Sequence, residues 1–329
     1  MGFEIIQPGL LSTLQDEGRY GYRKYGVISS GPMDHFAHRS ANILVGNSAG
    51  ACALEMTLLG PSMLAKEDMI AALCGAETDA ELDGIRVPMW RPFVIPKGSK
   101  LNVHYAVKGC RAYLAVSGGF KALPIMGSQS TYLRAGLGGY KGRALQAGDR
   151  LGVCEPQRLS TSEGFKRFQG EVSTYIRPHY EDNPILRVVW GNEAAHFTAE
   201  SRSRFAEQSF RVTPQSDRMG YRLAGSQLNP VDGLAQGMVS EAVTPGTIQV
   251  PSSGQLILLM ADCQTTGGYP RIAHVITADL PLAAQVKPGG TLRFRAISHQ
   301  EAQEQLLRQA MNLRLLEVGV QARVRNQHG

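Results

Sequence analysis

The sequence predicts a mainly β protein of two domains with a few short helices, and three observations predict it. At 329 residues the chain is long for one hydrophobic core, because domains usually close at about 100–150 residues. Its 37 glycines and 17 prolines interrupt it too often for long helices. Between these breaks, several apolar residues alternate with polar ones, as a half-buried strand requires.

The elements follow in order. IIQPGLLSTLQ opens with an apolar strand, breaks at Pro8-Gly9 and resumes as a second strand. MDHFAHRSANILVGN (33–47) is the clearest helix of the first half: Asp34 can cap it, Phe36, Ala37, Ala41, Leu44 and Val45 share one face, and Gly46-Asn47 end it. ALEMTLLGPSML, MIAALCGA, ETDAELDGIRVPMW and SKLNVHYAVKGCRAYLAVSGG read as strands, and GRALQAGDRLGV turns into another. Residues 157–184 are polar and aperiodic and read as a connection. It separates a first domain (1–156) from a second (185–329). The second domain starts with the strand PILRVVW, continues with a helix over 196–210, and returns to strands through 298. It ends in a helix over 299–320, whose Ala302, Leu306, Leu307, Ala310, Leu313 and Leu316 form a packing stripe. QDEGRYGYRKYG (15–26) and QSDRMGYRLAG (215–225) echo each other, which suggests two related β-rich domains.

Composition narrows the function. The net charge of +6 is scattered, with no basic run of five residues, which argues against a nucleic-acid partner. The five cysteines show no metal spacing and read as buried thiols of a reducing cytoplasm. No apolar stretch approaches the ~20 residues that span a bilayer, and the start lacks a secretory pattern. The expectation is a cytoplasmic protein. P-loop, dinucleotide and HExxH signatures are absent. GNSAG (46–50) matches GxSxG but follows a helix, so Ser48 reads as part of a helix-ending loop. His35 and His38, beside Asp34, read as polar helix surface rather than metal ligands.

Two stretches carry chemistry. In QSDRMGYR, Arg218 and Arg222 offer planar cationic forks suited to a carboxylate or phosphate. Asp217 lies on the opposite face from Arg218 if the segment is a strand, and beside it if it is a turn; a solvated surface loop is the plain alternative. In DCQTTGGYP, Asp262 and Gln264 precede the hydroxyls of Thr265 and Thr266. Gly267-Gly268 and Tyr269 follow, in a loop whose glycines can expose backbone N–H groups to a ligand or simply form a turn. Glu241, in SEAVTPGTIQVP, is a base or an ion-pair partner.

With these, the stretches PGLLSTLQDEGRYGYRKYGV, SGPMDHFAHRSANILVGN, ALEMTLLGP, YLAVSGGF, GSQSTYLRAGLGG, QSDRMGYRL, SEAVTPGTIQVP and DCQTTGGYPRIAHVITADLP resemble the 5-oxoprolinase C-subunit family. That family is also called KipA, the biotin-dependent carboxyltransferase family or the second subunit of allophanate hydrolase. The resemblance runs from about residue 3 to about residue 296 and implies two cyclophilin-like β-barrel domains. It implies an ATP-dependent opening of 5-oxo-L-proline, a small cyclic amide, to L-glutamate, in complex with a KipI-type B subunit and a LamB/YcsF-type A subunit. The alternatives are a KipI-binding regulator that relieves inhibition of a sporulation kinase, and the carboxyltransferase half of a biotin-dependent urea or amide carboxylase. Amides resist attack because resonance stabilises the C–N bond, so they need oriented hydrogen bonds and a cation at the developing anion. On this reading Gln264, Thr265 and Thr266 hold the amide, with Gly267, Gly268 and Tyr269 completing the substrate loop. Arg218, Arg222 or Arg19 holds a carboxylate or phosphate, and Asp217 or Asp262 accepts a proton. The chain lacks an ATP-grasp-like segment and a biotin-attachment Met-Lys motif. ATP is therefore expected at the level of the complex, and covalent biotin is not expected on this chain.

Overall fold

The computed structural model describes residues 2–154, 170–231 and 238–325. The chain is mainly β, with two closed or nearly closed barrels. By contacts it divides into a first unit (1–19, 30–178 and 310–329) and a second (20–29 and 179–309). Both are discontinuous, whereas the sequence suggested contiguous segments. The expected connection lies outside the described residues over 157–169. Its later part, 170–178, belongs to the first unit, where Val172 is buried and donates its N–H to the Trp90 carbonyl.

The first unit holds β1 (Phe3–Gln7), β2 (Leu11–Gln15), β3 (Ala53–Thr57), β4 (Ser62–Ala65), β5 (Met69–Leu82), β6 (Ile85–Arg86), β7 (Pro92–Ile95), β8 (Lys100–Val116), β9 (Phe120–Lys121) and β10 (Arg150–Val153). They form one ten-stranded sheet with the path β2-β3-β8-β4-β1-β10-β9, and β5 pairs along β8 off that path. Its core includes Phe3, Leu14, Leu54, Leu73, Leu114 and Phe120. Helix α1 (His35–Leu44) packs on β5 and β8. Asp34 caps it as expected, accepting the Ala37 N–H at 2.9 Å, and the expected apolar face is buried. The polar-surface reading of His38 is corrected. Its ring is fully buried, with Nε2 3.0 Å from the Gln15 carbonyl, and burial holds its pKa below the usual range. A helix covered on several sides has little polar face left.

The second unit holds β11 (Ile185–Trp190), β12 (Phe210–Val212), β13 (Gly220–Ala224), β14 (Glu241–Ala242), β15 (Thr247–Gln249), β16 (Leu256–Leu259), β17 (Thr266–Gly267), β18 (Arg271–Val275) and β19 (Thr291–Ala296). Strands β11-β18-β15-β16-β13-β12-β19 close a barrel, while β14 and β17 form a separate two-stranded ribbon. Parallel pairing of β11 with β19 closes the ring. Helix α2 (Ala199–Glu207) sends Phe205 onto Phe294, stacked at 4.8 Å. Helix α3 (Leu280–Ala284) follows β18 and was not anticipated. Helix α4 (His299–Arg325) is longer than expected. Its packing stripe also differs: Leu313 and Val320 are buried, but Leu306, Leu307 and Ala310 are exposed, Leu307 at 69%. The least exposed line steps 302, 305, 309, 313, 316, 320, and this helical period turns 306 and 307 away. Four cysteines are buried, but Cys154 is exposed, contrary to expectation. Among the described residues no helix is long and apolar enough to cross a membrane.

Candidate functional site

The second unit assembles most of the residues that the sequence singled out. Strand β13 pairs with β16, and the hydrogen-bond ladder runs on past the named strands: Met260 donates to the Met219 carbonyl at 3.0 Å and Asp262 to the Arg218 carbonyl at 2.8 Å. This pairing sets Arg218 opposite Asp262. The guanidinium donates from Nε to Oδ2 at 2.9 Å and from Nη2 to Oδ1 at 3.0 Å, and both residues are 4% exposed. A two-pronged pair in low dielectric holds both side chains in one geometry. Asp217 points the other way. It is exposed, and its Oδ1 accepts the N–H groups of Met219 at 2.8 Å and Gly220 at 3.2 Å. Arg222 is exposed on β13, between the buried Tyr221 and Leu223, as strand alternation requires.

Residues 262–270 leave β16 as an ordered loop. Cys263 is buried, its N–H donates to the Met260 carbonyl at 3.0 Å, and burial pushes its thiol pKa up to about 11. The Gln264 carbonyl accepts from Arg23 Nη2 at 3.5 Å, and the same nitrogen bonds the Val243 carbonyl. The Thr265 carbonyl accepts the Val243 N–H at 3.1 Å. Thr266 and Gly267 then pair with Ala242 and Glu241 as the β14–β17 ribbon. Neither Gly267 nor Gly268 has a positive φ. Both lie close to their neighbours. A Cβ on Gly267 would lie 2.5 Å from Gln249 Nε2, and one on Gly268 3.1 Å from the Met238 carbonyl oxygen. Gln249 is 1% exposed, and its Nε2 donates to the Tyr269 carbonyl at 3.4 Å. The loop's main chain is thus engaged, while among the described residues the side chains of Gln264, Thr265, Thr266 and Tyr269 make no hydrogen bond. Thr266 and Tyr269 are exposed, and Gln264 and Thr265 are half-buried.

A second charged cluster, missed by the sequence reading, anchors the other end of the loop. Arg271 opens β18 and is 8% exposed. Its Nε donates to Glu193 Oε2 at 2.6 Å, its Nη2 to Glu193 Oε1 and Glu241 Oε2, and its Nη1 to the Ala242 carbonyl at 3.3 Å. The carboxylates raise the Arg271 pKa, and Arg271 holds the Glu193 carboxyl below its ordinary range. Glu241 is therefore an ion-pair partner. Position 271, directly after the loop, was a usable signal; Glu193, 78 residues earlier, had none.

Arg19 is not brought into this group. It lies in the first unit, fully buried, donating from Nε to the Ile125 carbonyl at 3.0 Å and from Nη2 to the Ser130 carbonyl at 2.9 Å. The site of the second unit is thus a loop of uncommitted amide and hydroxyl groups, fixed at its two ends by the pairs Arg218–Asp262 and Arg271–Glu193. It can offer directional hydrogen bonds to a small polar molecule.

Known proteins resemble this chain over most of its length. The family described as carboxyltransferase domain, subdomain A and B, matches residues 25–296. The chain is 38% identical to the 5-oxoprolinase C subunit of Escherichia coli over 309 residues, covering 91% of this chain and 92% of that protein. It is 39% identical to the 5-oxoprolinase C subunit of Haemophilus influenzae over 299 residues, with the same coverage. The crystal structure of the K. lactis urea amidolyase superposes with a TM-score of 0.88 at 28% identity, over 96% of this chain and 20% of that one. The match over most of its length, together with the likeness to two 5-oxoprolinase C subunits, places this chain in the carboxyltransferase-domain family.

Proposed function

We propose that this chain is the C subunit of a bacterial ATP-dependent 5-oxoprolinase, acting with a KipI-type B subunit and a LamB/YcsF-type A subunit in the cytoplasm to open 5-oxo-L-proline to L-glutamate. One observation carries the reading. The chain aligns over 92% of the length of two proteins named as 5-oxoprolinase C subunits, but over only a fifth of the urea amidolyase whose fold it shares. In this reading Gln264, Thr265 and Thr266 hold the lactam amide, and Tyr269 and the exposed Arg222 flank the substrate. Arg218 positions rather than binds, because its fork is taken up by Asp262. Asp262 accepts a proton only at the cost of that pair, and Asp217 offers the exposed carboxylate. ATP enters at the level of the complex, and no residue of this chain is assigned to it.

The test is glutamate release from 5-oxoproline and ATP, with this chain mixed with its KipI-type and LamB-type partners and each omitted in turn. Glutamate formation should require all three. Undiminished glutamate without this chain would end the proposal. The likeness to urea amidolyase favours a second reading, a carboxyltransferase half serving a separate biotin protein. Avidin would abolish that activity and leave lactam opening untouched.

A further inference from the structure

The loop of the second unit is held from a distant part of the chain. Residues 20–29 belong to that unit, while the residues on both sides of them belong to the first. Within them Arg23 opens a single 3-10 turn, Arg23–Tyr25. Gly26 ends the turn at φ 79°, a left-handed conformation that glycine takes without strain. Its N–H returns to the Arg23 carbonyl at 3.0 Å. The turn fixes the Arg23 backbone, and the side chain reaches the loop.

Three hydrogen bonds then close a circuit of main-chain groups. Arg23 Nη2 donates to the carbonyls of Val243 and Gln264, the second at 3.5 Å. The Val243 N–H donates to the Thr265 carbonyl at 3.1 Å. The consecutive carbonyls of Gln264 and Thr265 are therefore both held. That fixes the peptide planes on both sides of Thr265 and one of the two at Gln264, and planar peptides direct the side chains between them. Below the circuit, Val243, Leu259 and Cys263 form a small buried cluster, whose apolar packing cannot replace these directional bonds. Arg218 and Arg271 are taken up by ion pairs. Among the described residues Arg23 has no carboxylate partner; its hydrogen bonds go to the two carbonyls.

We infer that Arg23 is a positioning residue for the loop: it sets the peptide planes at Gln264 and Thr265 and so aims the Gln264 amide and the Thr265 hydroxyl at the substrate's amide. This rests on the reading of the loop as the lactam site.

Two measurements on Arg23→Met test it, with Arg23→Lys as the conservative variant. In the full chain alone, amide hydrogen exchange at Val243 and Cys263 should quicken about tenfold, the loss of a hydrogen bond from a charged donor. Exchange along β16 should match the parent, which shows that the barrel is intact. In the reconstituted complex, KM for 5-oxoproline should rise about tenfold with KM for ATP unchanged, because only binding at the loop is weakened. Arg23→Lys should recover part of both effects. Unchanged exchange at Val243 and Cys263 would overturn the brace. Quickened exchange with an unchanged KM for 5-oxoproline, or a lower kcat with both KM values unchanged, would leave Arg23 structural and overturn its part in the reaction. A parent complex that releases no glutamate would instead sink the lactam reading, and exchange would still decide the brace.

Discussion

The pentapeptides Arg19-Tyr20-Gly21-Tyr22-Arg23 and Arg218-Met219-Gly220-Tyr221-Arg222 share a pattern and not a use. Each buries its first arginine, but Arg19 donates to two neutral carbonyls and Arg218 to a carboxylate. Their second arginines also part. Arg222 stands exposed on β13, whereas Arg23 reaches the carbonyls of Val243 and Gln264 and braces the loop of the second unit. An arginine fork fits either partner, so the pattern fixes the donor and the surrounding fold chooses the acceptor.

The largest effect should come from breaking the charged copy. Arg218→Met leaves Asp262 buried without its counter-ion and should cost about 3–5 kcal/mol, read by urea unfolding. Adding Asp262→Leu should recover most of that loss, because a well-packed apolar pair replaces a buried ion pair at little cost. Arg19→Met removes donors from neutral carbonyls and should cost less, about 1–3 kcal/mol. Equal losses for the two arginines would break the comparison.

Acid should act selectively on the second unit's other anchor. Arg271 depresses the Glu193 pKa, so the stabilisation is present above the ordinary carboxylate range and is lost as pH falls through the lowered value. Glu193→Gln should flatten the acid limb of stability measured below about pH 4.3, the unperturbed glutamate value. The smallest stability effect belongs to the loop's exposed side chain. Thr266→Val should stay within about 0.5 kcal/mol of the parent, as surface changes do, yet should lower glutamate release by the reconstituted complex. Unchanged release would remove Thr266 from the substrate site.

Much of the second unit's site was legible because it lies in two short stretches. QSDRMGYR and DCQTTGGYP named Arg218, Asp262 and the loop, but not that Arg218 and Asp262 bind each other. Their union depends on a strand pairing 44 residues apart, which no local pattern encodes. The sequence also named the two glycines, but not their neighbours. Neither takes a positive φ, and a side chain at either would crowd Gln249 or Met238.

The sequence by itself determined the mainly β class, the Asp34-capped helix, the start of α4 and the family resemblance, because period, capping and turn chemistry are local properties. Only the tertiary structure decided the discontinuous units, the burial of His38, the Arg271–Glu193–Glu241 anchor and the reach of Arg23 to the loop. Each of these turns on which distant segment supplies the neighbour, and burial and charge pairing are properties of neighbours rather than of spacing.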